Sequence, residues 1–328
     1  MWRSIPATRL ASGMTSISQS DRLSNLGQGC QMARSCFDRC KFRDLNLDRS
    51  QFARTQFQGA QLCQVSCQRT NFSHADLRQL EVRDSTFAQA NLSKVVLGGA
   101  RFLDTNLRGL YAPKIRGEQI QLSNVTASRA RLMQSDLRRL SATHVDFSHA
   151  NFEGSNLGAC ELSGCSFNDT HQKYAHFERG RIEATTWMRA DLQHVSFAGA
   201  TLRNTNFFQA MLGESSFRGA TLHTVRFERV ECIDADFEGA AIERVDFLDA
   251  SLFGACFRGA TLSKVDFRNA SLQSANFENT TWCHSAKFVG SSVDRASFRG
   301  ARGLSAQTQQ WLADNGAIGL ETPRLKTA

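Results

Sequence analysis

Large apolar residues recur along this chain at every fifth position. Of 24 Phe, 20 fall at residue numbers ending in 2 or 7, from Phe37 to Phe277. Walking from Phe37 to Trp282 in steps of five, 43 of 50 positions hold Phe, Leu, Ile, Val or Trp, and the phase never slips. Two residues ahead of each, from Ser35 to Thr280, 44 of 50 positions hold Ala, Ser, Thr, Val, Cys or Gly. A large and a small residue therefore repeat together.

A period of five suits neither a helix nor a flat strand. On a helix each repeat would move about 140° round the axis and smear the apolar residues over every face. On a strand of period two, every second Phe would point into water. If the chain turns a corner every five residues, each large residue can face one central axis and the small one can fill the crowded corner. Such coils cannot bury their own faces alone and must stack into a solenoid.

The number of sides follows from a second alternation. From residue 177 to 282, the positions ending in 7 are ten Phe and Trp187, whereas those ending in 2 are seven Leu, two Ile, Cys232 and Trp282. Phe stacks on Phe only if the number of sides is even. Two sides enclose nothing, so four is the smallest solution and a coil takes 20 residues. At an inter-strand spacing of roughly 4.8 Å, about 13 coils give an all-β rod on the order of 60 Å long.

The sequence resembles the pentapeptide-repeat proteins, whose unit is Ala, then Asp or Asn, then Leu or Phe, then two variable residues. Ala75-Asp76-Leu77-Arg78-Gln79, Ala90-Asn91-Leu92-Ser93-Lys94 and Ala150-Asn151-Phe152-Glu153-Gly154 carry the resemblance, as do Ala190-Asp191-Leu192, Ala235-Asp236-Phe237 and Ala275-Asn276-Phe277. It covers about 35 to 300 and implies a right-handed quadrilateral β-helix. Repeat residues are core and corner residues, so the resemblance specifies fold far better than function.

The chain reads as three parts. Residues 1–33 carry no repeat, are rich in Ser, Thr and Gln, and are expected to be disordered or to act as an uncleaved export signal or transit segment. Residues 34–302 are the β-helix. Residues 303–328 hold a short C-terminal helix, with Ser305 as N-cap and Gly316 after its end. Leu304, Trp311 and Leu312 would form either a lid on the open end of the solenoid or a dimer contact. Two stretches weaken the repeat. Around 108–124, Ala112 and Gly117 take large-residue positions, Leu110, Ile115 and Ile120 take small ones, and Pro113 lacks a backbone donor. At 170–176, Gln172 takes a core position. The segments carrying Tyr111, Pro113, Lys114 and Arg116, and His171, Lys173 and Tyr174, are expected either to protrude or to form defective coils in phase.

Candidate chemistry is sparse. The sequence has neither a phosphate-binding glycine loop nor a His-Glu-x-x-His signature. Its ten Cys lie on irregular spacings, none 20 residues from another, which speaks for a reducing compartment rather than a disulfide framework. No cofactor, metal or catalytic residue is assigned. There is no apolar run of membrane-spanning length.

The formal charge of +8 hides a polarised chain. Residues 1–150 hold 21 Lys or Arg against 11 Asp or Glu, 151–250 hold 9 against 15, and 251–328 hold 9 against 5. We expect a non-enzymatic protein-interaction scaffold, cytoplasmic or exported as a bacterial effector or secretion-associated adaptor. The alternatives are a protein that binds DNA gyrase and protects against drug or toxin, and a basic nucleic-acid-binding rod. Relatives of the gyrase-binding kind are acidic overall, and this chain departs from them by being basic.

Overall fold

The computed structural model describes residues 26–284 and 286–320. Within them the chain divides into two compact units, one ending at Asn156 and one beginning at Leu157.

Unit 1 is a stack of 20-residue coils. Each coil contributes one three-residue strand, from β1 (Lys41–Arg43) to β6 (Ser141–Thr143). Consecutive strands pair in parallel with a constant offset, as in Lys41↔Gln61 and Gln61↔Glu81. The other three sides are held the same way, with Phe52 N–H donating to Asn71 O at 2.7 Å and Phe57 N–H to Asp76 O at 2.7 Å. Corners are β-turns in which the small residue's N–H returns to the carbonyl of the large one, as in Thr55 to Phe52 (3.2 Å) and Ala60 to Phe57 (3.0 Å). The third residue of such a turn must be left-handed, and Arg54 (φ 58°) and His74 (φ 59°) are. A left-handed non-Gly residue costs about 1–2 kcal/mol. The ladder bonds on both flanks offset that cost.

Each side thus buries its large residue and its small corner residue and turns the other three outward. Four sides result. In unit 1, side I holds core residues 42, 62 and 82, side II 47, 67 and 87, side III 52, 72 and 92, and side IV 57, 77 and 97.

Both weak stretches stay in the coil and do not protrude. Leu92 N–H reaches Tyr111 O at 2.7 Å and Lys94 N–H reaches Pro113 O at 2.9 Å, so the register runs through. Pro113 removes no ladder bond, because the N–H at its position points outward. In the two coils before it, Ser73 and Ser93 bond there only to the side chains of Asn71 and Asn91. The inward positions stay in phase as well. Leu110, Ile115 and Ile120 are buried at the small positions, and a Cβ built on Gly117 would overlap Ile120 Cδ1. Large and small residues have exchanged places.

The first coil also begins earlier than residue 34. Gln31 already pairs with Gln51, and Gly29 N–H reaches Asp48 O at 2.8 Å. The expected leader otherwise falls on residues 1–25, outside the described residues.

Unit 2 repeats the architecture from β7 (Glu161–Ser163) to β13 (Thr281–Trp282). Its sides I to IV hold core residues 162, 167, 172 and 177 and those 20 apart. Side II stacks Phe167, Trp187, Phe207 and their successors, and side IV stacks Phe177, Phe197, Phe217 and theirs. Ring centroids within a ladder are 4.8 to 5.4 Å apart. The two ladders meet edge to face, as in Phe217 and Phe227 at 5.5 Å and 83°. Such offset and edge contacts contribute about 0.5–1.5 kcal/mol each beyond area burial. Near Trp282 the step between coils lengthens from 20 to 21 residues, with Asp266↔Lys287 and Ser271↔Ser292.

The helix α1 (Ala306–Asp314) starts at Ser305, whose hydroxyl accepts from Thr308 N–H at 3.1 Å. Leu312 is fully buried and the Trp311 ring lies 6.2 Å from that of Phe288. Leu304 is half-buried.

Candidate interaction surfaces

Outward side chains on a solenoid form columns, because residues 20 apart lie on successive coils. The αL corner between sides III and IV of unit 1 carries Arg34, Arg54, His74, Lys94 and Lys114 in order. The opposite corner of side III carries Arg49, Arg69 and Arg129, and Arg131 stands on side III itself. Between them runs a row of amides in which Asn71 Nδ2 donates to Gln51 Oε1 at 2.9 Å.

No Asp or Glu occupies the outward positions of side III from residue 31 to 134. Among the described residues, none of these eight Arg and Lys makes an ion pair. The ion pairs of unit 1 lie on side IV: Arg78 with Asp76 at 2.6 Å, Arg138 with Asp136 at 2.7 Å and Arg139 with Glu118 at 3.5 Å. The carboxyls of Asp76 and Asp136 are held below the usual range chiefly by hydrogen bonds from those guanidinium groups.

Side III of unit 2 has the opposite sign. From 191 to 294 its outward positions hold no Lys or Arg, while Asp191, Glu214, Glu231, Asp234 and Asp294 stand on it. Asp191 is met by Lys173 at 3.5 Å, Glu214 by His194 Nδ1 at 3.4 Å, and Asp294 by Arg295, the next outward residue of the same side, at 4.0 Å. Glu231 and Asp234 make no ion pair among the described residues. Met211 and Phe253 are exposed on the same side, at 37% and 48%. Tyr174, 54% exposed, stacks on the His194 ring at 4.8 Å and 4°.

The other sides of unit 2 neutralise themselves. Arg189 pairs with Asp169 at 2.8 Å, Arg218 with Glu238 at 2.8 Å, and Arg226 with Glu228. Arg226 also lies over the Phe208 ring, 5.4 Å from its centroid.

The residues expected to protrude instead take ordinary places in these columns. Lys114 belongs to the basic corner, Tyr111 stands on side III at 41% exposure, and Arg116 and His171 are exposed in register. Lys173 and Tyr174 belong to side III of unit 2. The sorting of charge by side escaped a count made along the chain, although residue numbers taken in steps of 20 carry it.

Reactive groups are scattered. All ten Cys are free, and burial pushes the Cys67 thiol well up and that of Cys160 to about 12. Among the described residues, no three His, Cys, Asp or Glu are placed to hold a metal ion, and no helix is long and apolar enough to cross a membrane. Side I of unit 1 has a depression of about 250 Å³ over Val82, Phe102 and Leu122, rimmed by Glu81, Arg83 and Arg101.

Stacked four-sided coils with columns of outward side chains define a β-solenoid repeat protein. Profiles of the pentapeptide repeats match residues 30–66, 40–79, 70–109, 188–229, 231–269 and 250–281, and a pentapeptide repeat region profile matches 130–207. The chain belongs to the pentapeptide-repeat family.

Among solved structures it is similar to HetL, a pentapeptide repeat protein involved in heterocyst differentiation regulation in the cyanobacterium Nostoc sp. strain PCC 7120. That match has 20% identity and a TM-score of 0.37, over 58% of this chain and 89% of HetL. Full-length QnrB1, a plasmid-mediated fluoroquinolone resistance protein, matches at 12% identity and a TM-score of 0.24, over 73% and 98%. A thylakoid-lumen pentapeptide repeat protein of Arabidopsis thaliana matches at 28% and 0.16, over 40% and 83%. No curated protein matches the chain.

Proposed function

We propose that the chain is a non-enzymatic protein-interaction scaffold whose working parts are its flat outer sides. One observation carries this reading: side III of unit 1 holds unpaired cations and no carboxylate from residue 31 to 134. Surface charges elsewhere in the unit are mixed in sign. A side of one sign steers a partner of the other and sets its register, which is what charge contributes to recognition. Affinity capture with the intact chain tests it, run beside Arg54→Glu with Lys94→Glu. A protein retained by the wild type and lost by the variant supports the reading, and identical captures by both remove it.

A second reading, binding of DNA gyrase, draws on the acidic side of unit 2, where no Lys or Arg stands between 191 and 294. Gyrase supercoiling and its quinolone poisoning that are both unchanged by the purified protein would remove it. Export as an effector rests on the composition of residues 1–33, and secretion that survives deletion of residues 1–25 would overturn it.

A further inference from the structure

We propose that side III of unit 1 docks on side III of unit 2 of a second copy of this chain. The inference rests on the scaffold reading but can fail without it, since the capture experiment reads other proteins.

Commensurate repeats are the first argument. Both sides are stacks of 20-residue coils one strand spacing apart, about 4.8 Å. Rung therefore meets rung along the whole contact. A helix would present its side chains once per 5.4 Å turn, and an extended strand about every 6.6 Å on one face, so either drifts out of step within a few coils. A stack of β-strands keeps the same step, and a second copy of this chain supplies one.

Charge is the second argument. Arg54, Lys94, Lys114 and Arg131 have no ion-pair partner among the described residues, and neither do Glu231 and Asp234. The two carboxylates find the missing sign on the other side, where cations are in excess. Apolar contact is the third: Tyr111 stands among the cations, and Met211 and Phe253 among the acids. Tyr, Met and Phe are the residues that interface centres favour over ordinary surface.

Each copy carries both sides, so every copy can both offer and accept the contact. Its charged groups are exposed, so the association should weaken as salt rises.

Sedimentation velocity of the intact chain over a range of salt tests this. A species heavier than one chain at low salt, returning to single chains at high salt, is expected. Arg54→Glu with Lys94→Glu should leave single chains, as should Glu231→Lys with Asp234→Lys. An equal mixture of these two variants should assemble again, because each supplies the sign the other lost. Thermal unfolding at the wild-type temperature qualifies each variant; Arg131→Glu alone replaces a basic-side variant that fails, and Glu214→Lys alone an acidic-side one. Single chains for the wild type at low salt would overturn the proposal. So would assembly that survives every reversal, which points to another contact such as α1. Wild-type single chains that bind a short DNA duplex through Arg54 and Lys94 would overturn it in favour of a nucleic acid.

Discussion

The indole N–H of Trp187 donates to Oε1 of Gln172 at 2.9 Å, and both side chains are fully enclosed. Each departs from the residue its column repeats, Phe on side II and an aliphatic on side III. They are one departure. Gln172 Nε2 has no partner, so the pair is only half satisfied. Gln172→Leu leaves a buried N–H without its acceptor and should cost about 1–3 kcal/mol. Trp187→Phe leaves a void and an amide unpaired at both ends, for about 2–4 kcal/mol. The double variant restores the column pattern and should equal or exceed the wild type. Denaturant unfolding of all four proteins gives the coupling, and two losses that simply add would refute the account.

Gly117 and Ile120 are a second exchanged pair. Ile120 fills the room that Gly117 vacates, so Ile120→Ala should cost about 2–4 kcal/mol as a void. Gly117→Leu should cost about 1–3 kcal/mol by overpacking. Made together they return the local sequence to the repeat, and their joint cost should fall well below the sum. Equal additivity in thermal unfolding would show that the two side chains do not share one space.

These pairs mark where the sequence could be read and where it could not. The fivefold period and the Phe alternation of 177–277 carry the four sides, because every coil repeats one solution. Exchange between Gly117 and Ile120 breaks the composition of two positions while keeping their summed volume, which a position-by-position reading takes for a defect. Pro113 looks disruptive until the direction of the missing N–H is known. Trp187 and Gln172 are 15 residues apart on adjacent sides. At that spacing Phe37 meets Phe52 and Phe72 meets Phe87, but nothing in the sequence pattern marks this one contact as polar. The basic side was legible in principle, since Arg34, Arg54, His74, Lys94 and Lys114 are spaced by 20, but a count along the chain mixes all four sides.

Asp76 and Asp136 give a pH dependence with a definite sign. Arg78 and Arg138 hold these carboxyls below the usual range. Their stabilisation is present above about pH 4, the ordinary Asp range, and is lost as pH falls through the lowered folded values. Arg78 and Arg138 are half exposed, so solvent screens both pairs and the contribution of each is small. Arg78→Gln with Arg138→Gln should lower the unfolding temperature slightly at neutral pH and not at all in strong acid. A deficit of the same size in acid would mean the arginines stabilise by packing alone.

The chain after Arg302 closes the last coil in two ways that can be separated. Residues beyond α1 supply one more rung: Arg295 N–H reaches Gly316 O at 2.9 Å, Phe298 N–H reaches Ile318 O at 2.8 Å, and Ile318 N–H returns to Ala296 O at 2.9 Å. Helix α1 meanwhile buries Leu312 and sets Trp311 against Phe288. Leu312→Asp attacks only the packing and should cost about 2–5 kcal/mol, from the lost contact and the buried charge, while leaving the rung in place. Deletion after Arg302 removes both. It leaves Arg295 N–H, Phe298 N–H and Ala296 C=O without these partners, an open edge of the kind that recruits other chains. Sedimentation should then show aggregation of the truncated protein, whereas Leu312→Asp stays dispersed below its lowered unfolding temperature. A truncated chain that instead passes from dimer to well-behaved monomer would make Leu304, Trp311 and Leu312 a contact between copies rather than a lid.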